Sequence, residues 1–311
     1  MKKIKLALLF GGISGEREIS LVSGEQVYQA LNKNKYEIFR YDPKKDLKKF
    51  FNDAIDNKFD VVLPILHGPY GEDGKLQGML DMINVSYVFS GCLASATAMN
   101  KYKTKVLAKN FGVPIPKDIL ISNNDKLDFN NFIDTLSLPI VIKPSELGSS
   151  VGISIAKTKE ELESGIKKAF EFDDYVLLEQ FIKGREFTVT MMGFSNPEIL
   201  AVTEIIPIAS DFYNYEAKYS DGGSKHVCPA NIPVKLQNKL HENALKVFKA
   251  IGCKDLSRAD FMWDYVNDKI YFIEINTIPG MTKVSLAPEA AKTAGIEFSD
   301  FLDKLISFNL K

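Results

Sequence analysis

The chain has 311 residues, of which 45% are hydrophobic and 25% charged, the balance of a folded protein of two or three domains in water. Its formal net charge of -1 gives no footing for a nucleic-acid or polyanion partner. Cys92, Cys228 and Cys253 lack metal-ligand spacing and read as reduced thiols of a cytosolic protein, and no segment approaches the roughly 18 apolar residues of a membrane helix.

In chain order, the basic start and apolar run to Phe10 are too short for a signal peptide, so Ile4–Phe10 reads as a buried first strand. Gly11–Gly15 is a tight loop, and a helix runs from Glu16 to Leu31. Tyr36–Tyr41 and Val61–Leu66 are further strands, and this β–α–β rhythm predicts a parallel sheet with helices on its faces. A helix starts near Lys75, and a helix-rich segment carrying Lys101 and Lys105 follows Ser95. Ile119–Ile121, Pro139–Lys143 and Ile153–Ala156 read as strands, the last preceded by the flexible loop Gly148–Gly152. A helix from about Lys159 to Phe170 leads to the strand Tyr175–Gln180, with a hinge candidate at Lys183-Gly184. Phe187–Met192 and Ile199–Ile206 are strands again. An irregular stretch, Ser210 to Pro229, precedes a helix from about Lys235 to Ile251, a hairpin and a final helix.

Several of these junctions carry chemistry. Gly11-Gly12-Ile13-Ser14-Gly15-Glu16 follows a strand and opens a helix, where backbone N–H groups attract anions; a plain glycine turn is the alternative, and Glu18 reads as a helix-start acid. His67 ends a strand beside Gly68, Gly71 and Gly74, placed either for ligand contact or in a capped turn; Glu72 and Asp73 read as turn residues. Lys143 followed by Gly148–Gly152 suits a phosphate grip or a flexible surface loop, and is not a P-loop. The strand end at Glu179–Ile182 offers a backbone edge to an adenine and Glu186 a ribose partner, or these are solvent-facing acids. The aromatic, polar run Asp211–Ser220 reads as a lid or as loop packing.

The hairpin holds the densest pattern. Ser257–Phe261 and Tyr271–Asn276 read as strands about the turn Val266-Asn267-Asp268. A turn centred on Asn267 sets Asp260 opposite Glu274 and Arg258 opposite Asn276, all on one face because strand side chains alternate. A carboxylate in an apolar run needs a partner. That partner is either a hard cation such as Mg²⁺ or, in an ordinary hairpin, a surface ion pair.

Together the runs GGISGEREISLVSG (11–24), HGPYGEDGKLQG (67–78), VIKPSELGSSVG (141–152), EFTVT (186–190), YNYEAKY (213–219), SRADF (257–261) and EINTIPGMT (274–282) resemble the D-alanine–D-alanine ligases, ATP-grasp enzymes, along nearly the whole chain. The resemblance implies an α/β ATP-grasp fold in three domains: a Rossmann-like parallel-sheet substrate domain (1–95), a central ATP-grasp subdomain (96–182) and a C-terminal one with the metal and substrate site (183–311). It implies Lys101, Lys143 and Lys218 as phosphate contacts, Glu179 and Ile182 as adenine partners and Glu186 as ribose partner. Asp260, Glu274 and Asn276 would hold two Mg²⁺ ions, for which Mn²⁺ would substitute. Glu16, with His67 nearby, would take the first D-alanine, and Lys218, Ser285 and Leu286 the second. Glu16, Ser149 and Tyr219 would form a hydrogen-bonded link closing the loops, and Arg258 with the Gly280 N–H would stabilise an oxyanion.

The implied reaction is ATP-dependent ligation of two D-alanines through an acyl phosphate, in cytoplasmic synthesis of cell-wall precursors by a homodimer. Two alternatives differ in class. One is an ester-forming D-alanine–D-lactate ligase, against which Tyr219 stands, since a His there goes with the ester. The other is a non-catalytic nucleotide-binding protein.

Overall fold

The computed structural model describes residues 2–148, 152–208 and 223–310. Strand β1 (Ile4–Phe10) lies between β2 (Tyr36–Tyr41) and β3 (Val61–Ile65), all three parallel. Every residue of β3 is buried, as befits a parallel strand covered on both faces. Helix α1 (Arg17–Ala30) follows β1, and α2 (Pro43–Ile55) follows β2. Helix α2 is absent from the sequence reading, although its start is well signalled: Asp42 accepts the Lys44 N–H and proline fills the first position. Next come α3 (Lys75–Met82), α4 (Cys92–Met99) and α5 (Lys101–Asn110).

The central sheet is antiparallel, in the order β4 (Asp118–Ser122), β7 (Tyr175–Gln180), β5 (Ile140–Pro144), β6 (Ser154–Ala156). One face is covered by α6 (Phe129–Leu136), not foreseen from the sequence, and α7 (Lys159–Ala169), whose residues Phe132, Leu136, Leu162 and Ile166 meet Ile142 and Leu178.

A third, antiparallel sheet runs β10 (Ser224–Val227), β9 (Glu198–Pro207), β8 (Arg185–Gly193), β11 (Asp255–Asp264), β12 (Lys269–Asn276). Strand β10 corrects the expectation of irregular chain up to Pro229: Ser224–Val227 pairs with β9. Helix α8 (Val234–Ile251) packs Leu240, Val247 and Phe248 into this sheet's core, shared with Ala94 and Ala98 of α4 and Ala108 of α5. Two helices close the described chain where one was expected, α9 (Leu286–Thr293) and α10 (Phe298–Ser307). Gly295 separates them at φ 81°, a left-handed turn that ends α9. Their Ala290, Phe301 and Leu305 complete the core of the first sheet with Leu6, Leu8 and Leu63. The loop between β12 and α9 is thereby carried back against the N-terminal loops.

The hairpin register is as read: Asp260 faces Glu274, and Arg258 faces Asn276. The route differs. Asp264 pairs with Lys269, so the turn centres one half-residue earlier, and Ile273 is the extra residue of a bulge that restores the register at Asp260.

Candidate active site

A cavity of about 680 Å³ lies between the central and C-terminal sheets. Lys143, Glu179, Ile182 and Glu186 line one part of it, and Asp260 and Glu274 another. Gly184 permits the close crossover between the sheets, since a Cβ there would lie 2.1 Å from the Trp263 carbonyl oxygen. Each oxygen of the Glu179 carboxylate lies against a lysine: Lys105 Nζ is 2.6 Å from one and Lys143 Nζ 2.5 Å from the other. Burial works against its charge, but the two lysines pull its pKa down to about 2. A role toward adenine therefore falls to the backbone at this strand end. For Lys143, burial opposes the charge, yet Glu179, Glu274 and Glu186 raise its pKa. Lys101, at the start of α5, donates from Nζ to the Leu147 carbonyl, on the approach to the loop beyond Gly148.

Asp260 is 4% exposed and lines this cavity. Its carboxylate accepts from Arg258 Nε at 3.1 Å and Nη2 at 3.0 Å, from Asn276 Nδ2 at 3.2 Å and from Thr188 Oγ1 at 2.5 Å. Glu16 is buried with its carboxylate against two glycines: a Cβ at Gly68 would lie 2.4 Å from Glu16 Oε2, and one at Gly148 2.9 Å. Three segments far apart in sequence thus meet at one carboxylate. The loop before Glu16 is held by Arg17, which reaches the Gly12 carbonyl at 2.6 Å and Asp42 at 2.9 and 2.6 Å. That bond foremost takes the Asp42 pKa down to about 2.

His67 is buried, 3.4 Å from Ser23 Oγ; burial lowers its pKa, while Glu16 and a hydrogen bond with the Ile278 backbone oppose the shift. Glu72, a turn residue by its sequence context, joins the Gly68 loop to the Ile278 loop. It accepts the Gly68 N–H at 2.7 Å and the Ile278 N–H at 3.3 Å, and burial, with Glu16 nearby, pushes its pKa up to about 8. On the far side Gly280 lies against Ser285, where a Cβ would be 2.9 Å from Oγ, and Ser285 precedes Leu286 at the start of α9. Ser149, Lys218 and Tyr219 lie outside the described residues.

The donor set suits a hard cation in the manner of Mg²⁺, which uses one or two carboxylates and leaves other positions to water and phosphate. Asp260 and Glu274 supply the carboxylates, and Asn276 an amide oxygen if its side chain turns. Among the described residues no cluster of three His, Cys, Asp or Glu side chains forms a metal cage. No described helix is long and apolar enough to cross a membrane.

The sequence model of the D-ala D-ala ligase C-terminus matches residues 107–307, and that of the N-terminus residues 5–55 and 40–92. A D-alanine–D-alanine ligase of Syntrophobacter fumaroxidans is 42% identical over 311 residues, covering 100% of this chain and 99% of that relative. The chain belongs to the D-Ala-D-Ala ligase family.

A second D-Ala-D-Ala ligase, from Carboxydothermus hydrogenoformans, is 40% identical over 99% of both chains. Among solved structures, the Bacillus anthracis D-alanine–D-alanine ligase complexed with ATP aligns with a TM-score of 0.86 at 30% identity, over 98% of this chain and 97% of that one. The VanG D-Ala:D-Ser ligase of Enterococcus faecalis aligns with a TM-score of 0.85 at 31% identity, over 99% of this chain and all of that one. The fold is accordingly ATP-grasp. Two ionisable groups beside the site residues, the part-buried Glu72 and the buried Lys105, carry no site role in the sequence pattern. Glu72 sits five residues beyond His67 in a run rich in turn residues, and Lys105 one helical turn beyond Lys101; that spacing puts both lysines on one helix face.

Proposed function

We propose that this chain joins two D-alanines, with ATP, to give D-alanyl-D-alanine, ADP and phosphate. The observation that carries this reading is the position of Asp260. It lines the cavity of Lys143, Glu179 and Glu186 and is bonded to Arg258, which together with Glu16 acts on Glu72. This arrangement supports a reading in which a phosphate donor is held beside a carboxylate acceptor.

The first D-alanine is held by Glu16 through its ammonium, with its carboxylate directed to the cavity. Lys101, Lys143 and Lys218 take the ATP phosphates, and the backbone at Glu179 and Ile182, with Glu186, the nucleoside. The D-alanine carboxylate attacks the γ-phosphoryl group, giving an acyl phosphate, because a free carboxylate is too poor an electrophile for an amine. The second D-alanine, placed by Lys218, Ser285 and Leu286, attacks the carbonyl carbon through its amine. The tetrahedral oxyanion that results is met by Arg258 and the Gly280 N–H, and phosphate leaves with the oxygen that came from the carboxylate. Two Mg²⁺ ions, or Mn²⁺, at Asp260, Glu274 and Asn276 would neutralise phosphate charge during transfer. A link of Glu16 with Ser149 and Tyr219 would close the loops and keep water from the acyl phosphate.

The three sheets support three domains at 1–95, 96–182 and 183–311, with α4 and α5 packed on the C-terminal sheet. The cytoplasmic setting rests on the family and on the three free thiols. The homodimer rests on the family alone. The test is coupled detection of ADP with D-alanine, L-alanine or D-lactate as the added substrate. Release that depends on D-alanine and yields dipeptide supports the reading; release indifferent to the amino acid, or none, contradicts it.

A further inference from the structure

The most deeply buried cation of the described chain outside the roles just given is Lys105. Its side chain has no solvent exposure. It leaves α5, reaches the Phe272 carbonyl of β12 at 3.3 Å and ends 2.6 Å from one oxygen of Glu179. The other oxygen of Glu179 lies 2.5 Å from Lys143. Asp118 on β4 lies beyond and interacts with Lys105 and Glu179, and Lys109 on α5 interacts with Asp118 in turn.

A buried ammonium is costly to desolvate, and a carboxylate with one lysine would already be neutralised. The second lysine needs a further reason. Burial, and Lys143 beside it, lower the Lys105 pKa, while contact with Glu179 and the charge of Asp118 oppose that shift; with Lys105 protonated the group has two positive charges and one negative, a net positive charge toward the cavity. Without Lys105, both oxygens of Glu179 would be left to Lys143. The pair would then be neutral and closed on itself, and in a low-dielectric site that attraction is strong. A phosphate would have to compete with Glu179 for Lys143.

We propose that Lys105 is a positioning residue for nucleotide binding: by holding one oxygen of Glu179, it keeps the charge of Lys143 available to the ATP phosphates. This deepens, and rests on, the ligase reading above.

The proposal makes affinity follow the charge of the triad. Wild type carries +1, Lys105→Met 0, Glu179→Gln +2, and the double variant Lys105→Met/Glu179→Gln +1 again. Calorimetry with a non-hydrolysable ATP analogue and Mg²⁺ reads the series. Lys105→Met should bind the analogue about tenfold or more weakly, since a charged contact of this kind is worth at least a factor of that order. Adding Glu179→Gln should restore binding to within about threefold of wild type, although it removes a second buried charge. Glu179→Gln alone should bind at least as tightly as wild type. The KM for D-alanine should stay within about threefold throughout.

If Lys105→Met does not fold, Glu179→Gln and the double variant still carry the test, because both are expected to bind like wild type or better. A purely structural role for Lys105 predicts the reverse, with the double variant weaker than either single one and affinity tracking thermal stability. That result, or equal affinity across the series, overturns the proposal. A wild type that binds the analogue but releases no ADP with D-alanine overturns the ligase reading and leaves the charge series to be read on its own.

Discussion

Asp255 is wholly buried where three parts of the chain meet. Its Oδ2 accepts the Phe89 N–H and Asn309 Nδ2, each at 2.7 Å, while Oδ1 has no hydrogen-bond partner among the described residues. Burial pushes its pKa up to about 6, against the pull of Lys254. The folded value is above the unfolded one, so the neutral form is favoured by folding. Its stabilisation is complete below about pH 4, declines as pH rises toward 6, and is gone above that. Asn tolerates the left-handed backbone at this position, φ 63°. Asp255→Asn should therefore match wild type near pH 4 and exceed it by about 1–3 kcal/mol at pH 7.5, for a shift of about two units. Urea denaturation at the two pH values measures it, and a difference independent of pH would refute the assignment. At this scale the sequence showed Lys143, Asp260 and Glu274, because each interrupts an apolar strand. It did not show Glu72 or Asp255, whose partners are separated from them by 206 and 166 residues.

Helix α1 presents Gly24 to β1 at very short range: a Cβ there would lie 2.3 Å from Phe10 Cβ. Gly24→Ala sets two effects against each other. Alanine in a helix interior gains about 1 kcal/mol, whereas overpacking a tight contact costs about 1–3 kcal/mol. At 2.3 Å the clash involves atoms next to the backbone of both elements, so it prevails and the variant melts below wild type. A raised melting temperature would show that α1 rides farther from the sheet. The periods of α1, α7 and α8 were legible because each buries one face. Helix α2 was passed over despite its cap, since its lysine-rich run Lys44 to Lys49 masks the apolar spacing of Leu47, Phe50, Phe51 and Ala54. The bulge at Ile273 was invisible, because the expected pairing of Asp260 with Glu274 arises either from a turn centred on Asn267 or from an earlier turn plus one extra residue.

Over the whole molecule, the chain returns to its start. Helices α9 and α10 share a core with β1 and β3, and this brings the loop of Ile278 onto the loop of Gly68 through Glu72. The alternation of strands and helices gave the parallel N-terminal sheet, but nothing local in the sequence signals that the last helices cover the first sheet. That closure sets the proposed carboxylate site beside the cavity of Lys143. The central claim is that a D-alanine carboxylate oxygen is phosphorylated before the peptide bond forms. D-alanine labelled with ¹⁸O in its carboxylate, incubated with ATP and the enzyme, tests it by mass spectrometry of the phosphate released. The account predicts one labelled oxygen in the phosphate for each dipeptide made; phosphate without label, alongside dipeptide, would contradict it.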